Sequence, residues 1–297
     1  DLHSFPTRRS SDLEPVALSQ SHRGPNGLNA WVSGDIASLS IDNYHGFPGE
    51  DGTARSVAAG IDYDIAPGLI VGAAFSASAI KSEFGAFGDF EQDEKSISLY
   101  AAYTNGGFWG TLIGTYGRLD YDLDRIAPIG ITLQSNLGST DGENWSAAFQ
   151  GGFDFHTLGV THGPVIGFVT QQVSVDGFTE AGSFTSLAFA GQTRDSYVSQ
   201  LGYRVSIDWA TIHPFAQLVW NHEFADTHRN VTASLTTIDA PSYSLPAAVL
   251  GEDWGSVAAG VSVDVATGVK VVAKGTADFS DSDTVLYGGQ LGLNIAF

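Results

Sequence analysis

The sequence predicts an all-β protein, a 12-stranded antiparallel transmembrane outer-membrane β-barrel. Three observations predict it. From Leu28 onward, segments of about ten residues alternate apolar with small or polar side chains, and a tilted strand needs ~9–11 residues to cross a bilayer. The connections between segments alternate between short and long, which puts tight turns at one rim and long loops at the other. No apolar run is long enough for a transmembrane helix, and an open sheet edge in lipid would leave backbone groups unpaired, so the sheet must close.

The twelve segments span 28–40, 53–65, 69–80, 94–104, 108–121, 143–156, 163–176, 195–208, 213–225, 252–266, 269–280 and 284–297. Short connections read "IAPG" (65–68), "NGG" (105–107), "LGVTHG" (158–163), "ATI" (210–212) and "ATG" (266–268). Long ones cover 41–52, 81–93, 122–142, 177–194 and 226–251, with "SDSD" (280–283) a short exception. Both chain ends are then expected at the short-turn rim, on the periplasmic side.

Side-chain order within segments agrees. Val57, Ala59, Ile61, Tyr63 and Ile65 oppose Ala58, Gly60, Asp62 and Asp64. Trp145, Ala147, Phe149, Phe153 and Phe155 oppose Ser146, Gln150, Asp154 and His156. Leu201, Tyr203, Val205, Ile207 and Trp209 oppose Gln200, Gly202, Arg204, Ser206 and Asp208. Segments nine to eleven repeat the pattern, with Glu223, Asp264, Lys270, Lys274 and Asp278 on the polar face. Segments five and seven do not assign their faces. A soluble sandwich also alternates, but its outward face should be wet and charged. Here the second face is mostly Gly, Ala and Ser, which suits a polar bore. The charges Asp62, Asp64, Asp154, Arg204, Asp208, Glu223, Asp264, Lys270, Lys274 and Asp278 are therefore expected to line the pore, either as hydrated cross-strand pairs or as a polar conduit. Aromatic residues near segment ends (Trp31, Tyr63, Tyr103, Trp109, Tyr121, Trp145, Trp209, Phe224, Trp254, Phe279 and Phe297) are expected in two interface girdles.

Composition excludes several functions. The 297 residues carry a formal net charge of −20, which argues against nucleic-acid binding. Cysteine is absent, so there is no disulfide framework, thiol nucleophile or cysteine-based zinc site. Methionine is absent too, which marks the chain as a fragment. Residues 1–13, "DLHSFPTRRSSDL", resemble translated adapter sequence and read as a non-native leader. Residues 14–27 read as a linker, helical at most over Glu14 to Ser21. Residues 28–297 form the barrel. No Gly-Asp-Ser-Leu block and no nucleophile elbow occurs, so "DNYH" (42–45) has Asp-x-x-His spacing without a serine to serve, and no catalytic residue is expected. His222, Glu223, Asp226 and His228 offer metal-ligand types, but adjacent strand residues face opposite ways, and no metal or cofactor is expected. His156, His162 and His213 read as exposed turn-edge residues. Gly106 and Gly107 read as turn formers.

The chain ends "QLGLNIAF" (290–297). Tyr287, Leu291, Leu293, Ile295 and Phe297 alternate along one face and stop on an aromatic ring, which resembles the C-terminal signal that barrel-assembly machinery reads. Twelve strands with nothing after them resemble the translocator domain of autotransporters, the type V secretion family. "VDGFTEAGS" (175–183), "GQTRDSYVSQLGYRVS" (191–206), "HPFAQLVWNHEFAD" (213–226), "DWGSVAAGVSVDV" (253–265) and the final "LGLNIAF" look most like the barrels of GDSL-type autotransporter esterases. The resemblance implies a Gram-negative outer membrane, contact with its lipid, an N-terminal passenger exported with the barrel's help, a linker helix that occupies the pore and whose end is expected at residues 14–27, and catalytic residues only in that passenger. A porin-like channel for small solutes is the alternative, and an adhesive barrel a weaker third reading.

Overall fold

A computed structural model describes residues 26–41, 50–227, 230–239, 241–246, 251–280 and 284–297. The leader, most of the 14–27 linker, the 42–45 motif and His228 lie outside the described residues. Twelve long strands form the wall: β1 (Leu28–Ile41), β2 (Glu50–Ala66), β3 (Leu69–Glu83), β4 (Gly88–Asn105), β5 (Phe108–Ile129), β6 (Thr132–Phe153), β7 (Val160–Val175), β8 (Gln192–Ile207), β9 (Ile212–Glu223), β10 (Asp253–Ala266), β11 (Val269–Ser280) and β12 (Thr284–Ala296). Each pairs antiparallel with its sequence neighbours. β12 closes the ring on β1, from Asn29 opposite Ala296 to Ile41 opposite Thr284.

Closure continues past the last strand. The Phe297 main-chain N–H donates to the Leu28 carbonyl at 2.9 Å, and the Asn26 N–H donates to the Phe297 carbonyl at 3.1 Å. The turns at this rim are tight because glycine permits them. Gly68 has φ 78° and Gly268 φ 75°, in the left-handed region that disfavours side chains.

At the opposite rim two expected long loops are largely strand. β5 and β6 pair without interruption from Phe108 opposite Phe153 to Ile129 opposite Thr132, leaving only Gly130 and Ile131 in the turn. Likewise, β3 and β4 run to Glu83 opposite Asp89. The reason is visible in the residues. Leu119, Tyr121 and Leu123 still alternate with Asp120, Asp122 and Asp124. The strand continues while its outward face changes from lipid-compatible to acidic. Each of these strands has 22 residues, a rise of about 50 Å along the axis at the usual tilt against a ~30 Å hydrocarbon core. The hairpin therefore stands well above the membrane.

Two other long connections do form loops, but ordered ones. Short strands at Phe178–Thr179, Leu187–Phe189, Asn230–Leu235 and Tyr243–Pro246 make a second sheet. It is tied to the β5–β6 hairpin through a two-way bridge between Leu137 and Ala181. Arg125 grips Glu180 bidentately, at 2.8 and 2.6 Å. Asn136, fully buried, joins Ser183, Thr185 and Ser186.

Candidate functional site

The bore is the site, and its lining changes with depth. At the short-turn rim the side chains are charged and paired. Asn29, Asp62, Gly72 and Tyr100 stand in one row across β1 to β4. Asn29 Nδ2 donates to Asp62 Oδ1 at 2.8 Å, and Tyr100 Oη donates to Asp62 Oδ2 at 3.0 Å. Tyr100 reaches over β3 because Gly72 has no side chain; a Cβ there would overlap the Tyr100 ring. Trp31 uses the same device, lying over Gly60, where a Cβ would come within 2.6 Å of the indole. Its Nε1 donates to Tyr100 Oη at 2.7 Å.

Farther around the rim, Arg204 lies opposite Gly163 of β7 and crosses to Asp154 with bonds of 3.1 and 2.6 Å. Its guanidinium sits 3.6 Å from the centre of the Trp109 ring, a cation–π geometry. His213 bridges Asp208 (3.2 Å) and Asp264 (3.1 Å). Lys270 is buried, with Nζ 3.5 Å from Asp264.

The middle of the bore mixes amides and hydroxyls with a few charged groups. Asn144 links Glu94 and Gln171, both at 2.9 Å. Gln200 donates to Asn221 at 3.0 Å, and Asn221 to Ser256 at 2.8 Å. A cavity here is lined from several sides, by Asp35, Gln150, Gln217, Lys274, Asp278 and Gln290 among others.

The long-loop end is apolar. Ala37, Leu39, Ala54, Phe90 and Leu286 form a buried cluster with Ile80, Phe84 and Leu123 against it. Its members run from β12 through β1 to β5, half the circumference. Phe84, entering from the β3–β4 connection, stacks on Phe90 with centroids 5.7 Å apart. A second cluster of Leu119, Tyr121, Val173 and Val175 packs under Phe178.

The ten charged residues expected to line the pore fall at three depths. Asp62, Asp64, Asp154, Arg204, Asp208, Asp264 and Lys270 gather near the short-turn rim, and Lys274 and Asp278 line the mid-bore cavity. Glu223 ends β9 buried, accepting from Ser196 Oγ and from the main-chain N–H groups of Tyr197 (2.7 Å) and Ala225 (3.0 Å). His222 points away from it, to Asp253 at 2.9 Å. Tyr287, Leu291 and Phe297 are exposed on the outer face of the barrel, and Leu293 and Ile295 continue that face half-buried.

Three expectations need correction. Trp31, Trp109, Tyr121 and Trp254 were assigned to outer girdles but turn inward; Tyr63, Tyr103, Trp145, Trp209, Phe224, Phe279 and Phe297 stay exposed outside. The inward set bonds, stacks or packs inside the bore. His213 is an inward bridge, not an exposed turn residue. The bore is not polar throughout, since its long-loop end is greasy. Trp31, Asn29 and Tyr100 carried no signal within their own strands. Only register reveals them, by placing Trp31 against Gly60, Tyr100 against Gly72 and Asn29 against Asp62.

The autotransporter beta-domain family model matches residues 30–295. The chain belongs to the autotransporter β-domain family. An uncharacterized protein from the trpE-trpG intergenic region of Pseudomonas putida is 30% identical over 227 residues, covering 74% of this chain and 37% of its own length. Lipase 1 of Photorhabdus luminescens is 25% identical over 295 residues, covering 92% of this chain and 45% of its own. This β-domain thus spans less than half the length of the curated relatives it matches. Its fold matches the translocator domain of the autotransporter NalP from Neisseria meningitidis with a TM-score of 0.78 at 15% identity, over 97% of this chain and 94% of that one. As an autotransporter β-domain it is an outer-membrane translocator barrel. No helix among the described residues is long and apolar enough to cross a membrane; the strands do the crossing.

Proposed function

We propose that this barrel anchors and exports a passenger joined to its N-terminal side, and that the passenger is a GDSL-type esterase or lipase. One observation carries the export reading. The main chain enters β1 at the rim where it leaves β12, with Asn26 bonded to Phe297. A passenger preceding residue 26 and displayed outside must therefore pass from the short-turn rim to the long-loop rim. The short-turn rim is periplasmic in this reading, which fits its tight turns. The similarity to Lipase 1 supports the esterase assignment. The barrel is non-catalytic in this reading.

Tyr287, Leu291, Leu293, Ile295 and Phe297 serve as the assembly signal for barrel-assembly machinery and then face outer-membrane lipid. The inward charges stiffen the wall by lateral pairing. A small-solute channel is less supported, because the family match is to autotransporter β-domains and apolar side chains from half the circumference cluster at the long-loop end. The test is expression of the chain behind a signal peptide and an epitope-tagged reporter in a Gram-negative host. Protease added to intact cells should remove the reporter and spare tags placed at the short turns. A reporter protected in intact cells and cleaved only after lysis would refute export.

A further inference from the structure

We infer that the mid-bore cavity is a sequence-indifferent binding site for the main chain of an extended polypeptide, with Gln150, Gln217 and Gln290 as its contacts. This rests on the export reading and deepens it.

The three glutamines project from β6, β9 and β12 and line one cavity. In a ring of twelve strands these positions are three strands apart, with β6 and β12 facing each other across the bore. A chain on the axis is approached from three sides. The neighbouring amides Asn144, Gln171, Gln200 and Asn221 are already engaged with one another or with other wall residues. The side chains of Gln150, Gln217 and Gln290 make no hydrogen bond among the described residues, and they are half-buried.

Chemistry then selects the ligand. A primary amide presents two donors and an acceptor. Each residue of an extended peptide, proline apart, presents one N–H and one C=O. The match is to the backbone, which every passenger shares, and not to any side chain. Charged contacts would hold oppositely charged segments, and apolar ones would hold apolar segments. Neutral amides exchange hydrogen bonds between peptide and water at little net gain, so a chain can be held and released repeatedly. The location fits: the charged members of the same cavity, Asp35, Lys274 and Asp278, each already have a partner, and the apolar clusters above give the peptide backbone no partners.

The test uses the full chain behind a signal peptide and three unfolded reporters, rich in Gly/Ser, in Glu or in Lys. The rate of surface appearance is followed by protease accessibility, and barrel assembly by heat-modifiable gel mobility. Wild type should export all three at rates within about twofold. Combined Gln150→Leu, Gln217→Leu and Gln290→Leu should slow all three alike by about fivefold, the weight of one net hydrogen bond. Combined Gln→Glu at the same positions should slow the Glu-rich reporter and not the Lys-rich one. If the triple Leu variant does not assemble, Gln217→Leu against Gln217→Asn reads the same contrast, with Asn restoring the rate. Unchanged export by assembled Leu variants, or a wild-type rate that already differs tenfold with reporter charge, overturns the inference. A wild-type chain that displays no reporter refutes the export reading instead.

Discussion

Replacing Phe90 with alanine tests whether the apolar clusters close the bore. The residue is 0% exposed and belongs to one buried cluster with Leu39, itself 1% exposed, and Phe84 stacks on its ring. Truncation removes roughly 120 Å² of buried apolar surface, about 3 kcal/mol at 25 cal/mol per Å². The space left cannot collapse easily, because strand pairing holds the wall on both sides, so the total should fall in the ~3–5 kcal/mol range found for buried aromatic residues. Urea unfolding of the refolded barrel in detergent, read by tryptophan fluorescence and gel mobility, measures this directly. Ionic conductance in planar bilayers supplies a second readout, since a hydrophobic constriction blocks ions by dewetting. The variant should unfold at lower urea and conduct more than wild type. A loss below about 1 kcal/mol with unchanged conductance would mean that Phe90 is not part of a dry seal.

Three further outcomes follow from the wall and the loops. Gly72→Val should destabilise the barrel by about 2 kcal/mol or more, because it drives Tyr100 off Asp62 and leaves a buried carboxylate without that donor; the same unfolding titration checks it, and Tyr100→Phe in the Gly72→Val background should add little. Arg204→Lys keeps the charge but loses the fork to Asp154 and the stacking on Trp109, and should cost about 1–2 kcal/mol, with Arg204→Ala costing more. Above the membrane, Asp93, Asp120 and Asp141 stand directly opposite one another on three strands; Asp120→Asn should stabilise by about 0.2–1 kcal/mol at low salt, and the gain should shrink at 1 M salt as screening removes the repulsion.

Most of the wall was legible in the residues. Period-two alternation sets which face each strand residue takes, so Val57 to Ile65 and Leu201 to Trp209 were assigned outward and are outward. Tight-turn residues such as Gly68 and Gly268 marked one rim. Charge at alternate positions was equally readable, and Asp62, Asp154 and Arg204, singled out by it, hydrogen-bond across strands. Reading stopped too early at the β5–β6 hairpin because lipid-type alternation ends near Tyr121 while strand-type alternation goes on. A change of solvent was taken for a change of structure.

The faces of β5 and β7 were undecided for a related reason. Trp109, Ile113, Leu119, Val165 and Val173 are apolar yet inward, so hydrophobicity on those strands does not distinguish lipid from a packed bore. The roles of the inward glycines were likewise invisible. Gly60 and Gly72 read as small lumen residues, but each is the gap over which a ring from a neighbouring strand lies.

Alternation and turn chemistry, both local properties of the chain, determined that this protein is a closed membrane barrel with a lined bore. Tertiary structure decided which inward residues meet: Tyr100 with Asp62, Arg204 with Asp154 and Trp109, Phe90 with Phe84, and three free glutamines around one cavity. Those contacts depend on strand register and on curvature that brings β12 opposite β6. Neither is written in any single segment, because both arise only when twelve strands close on one another.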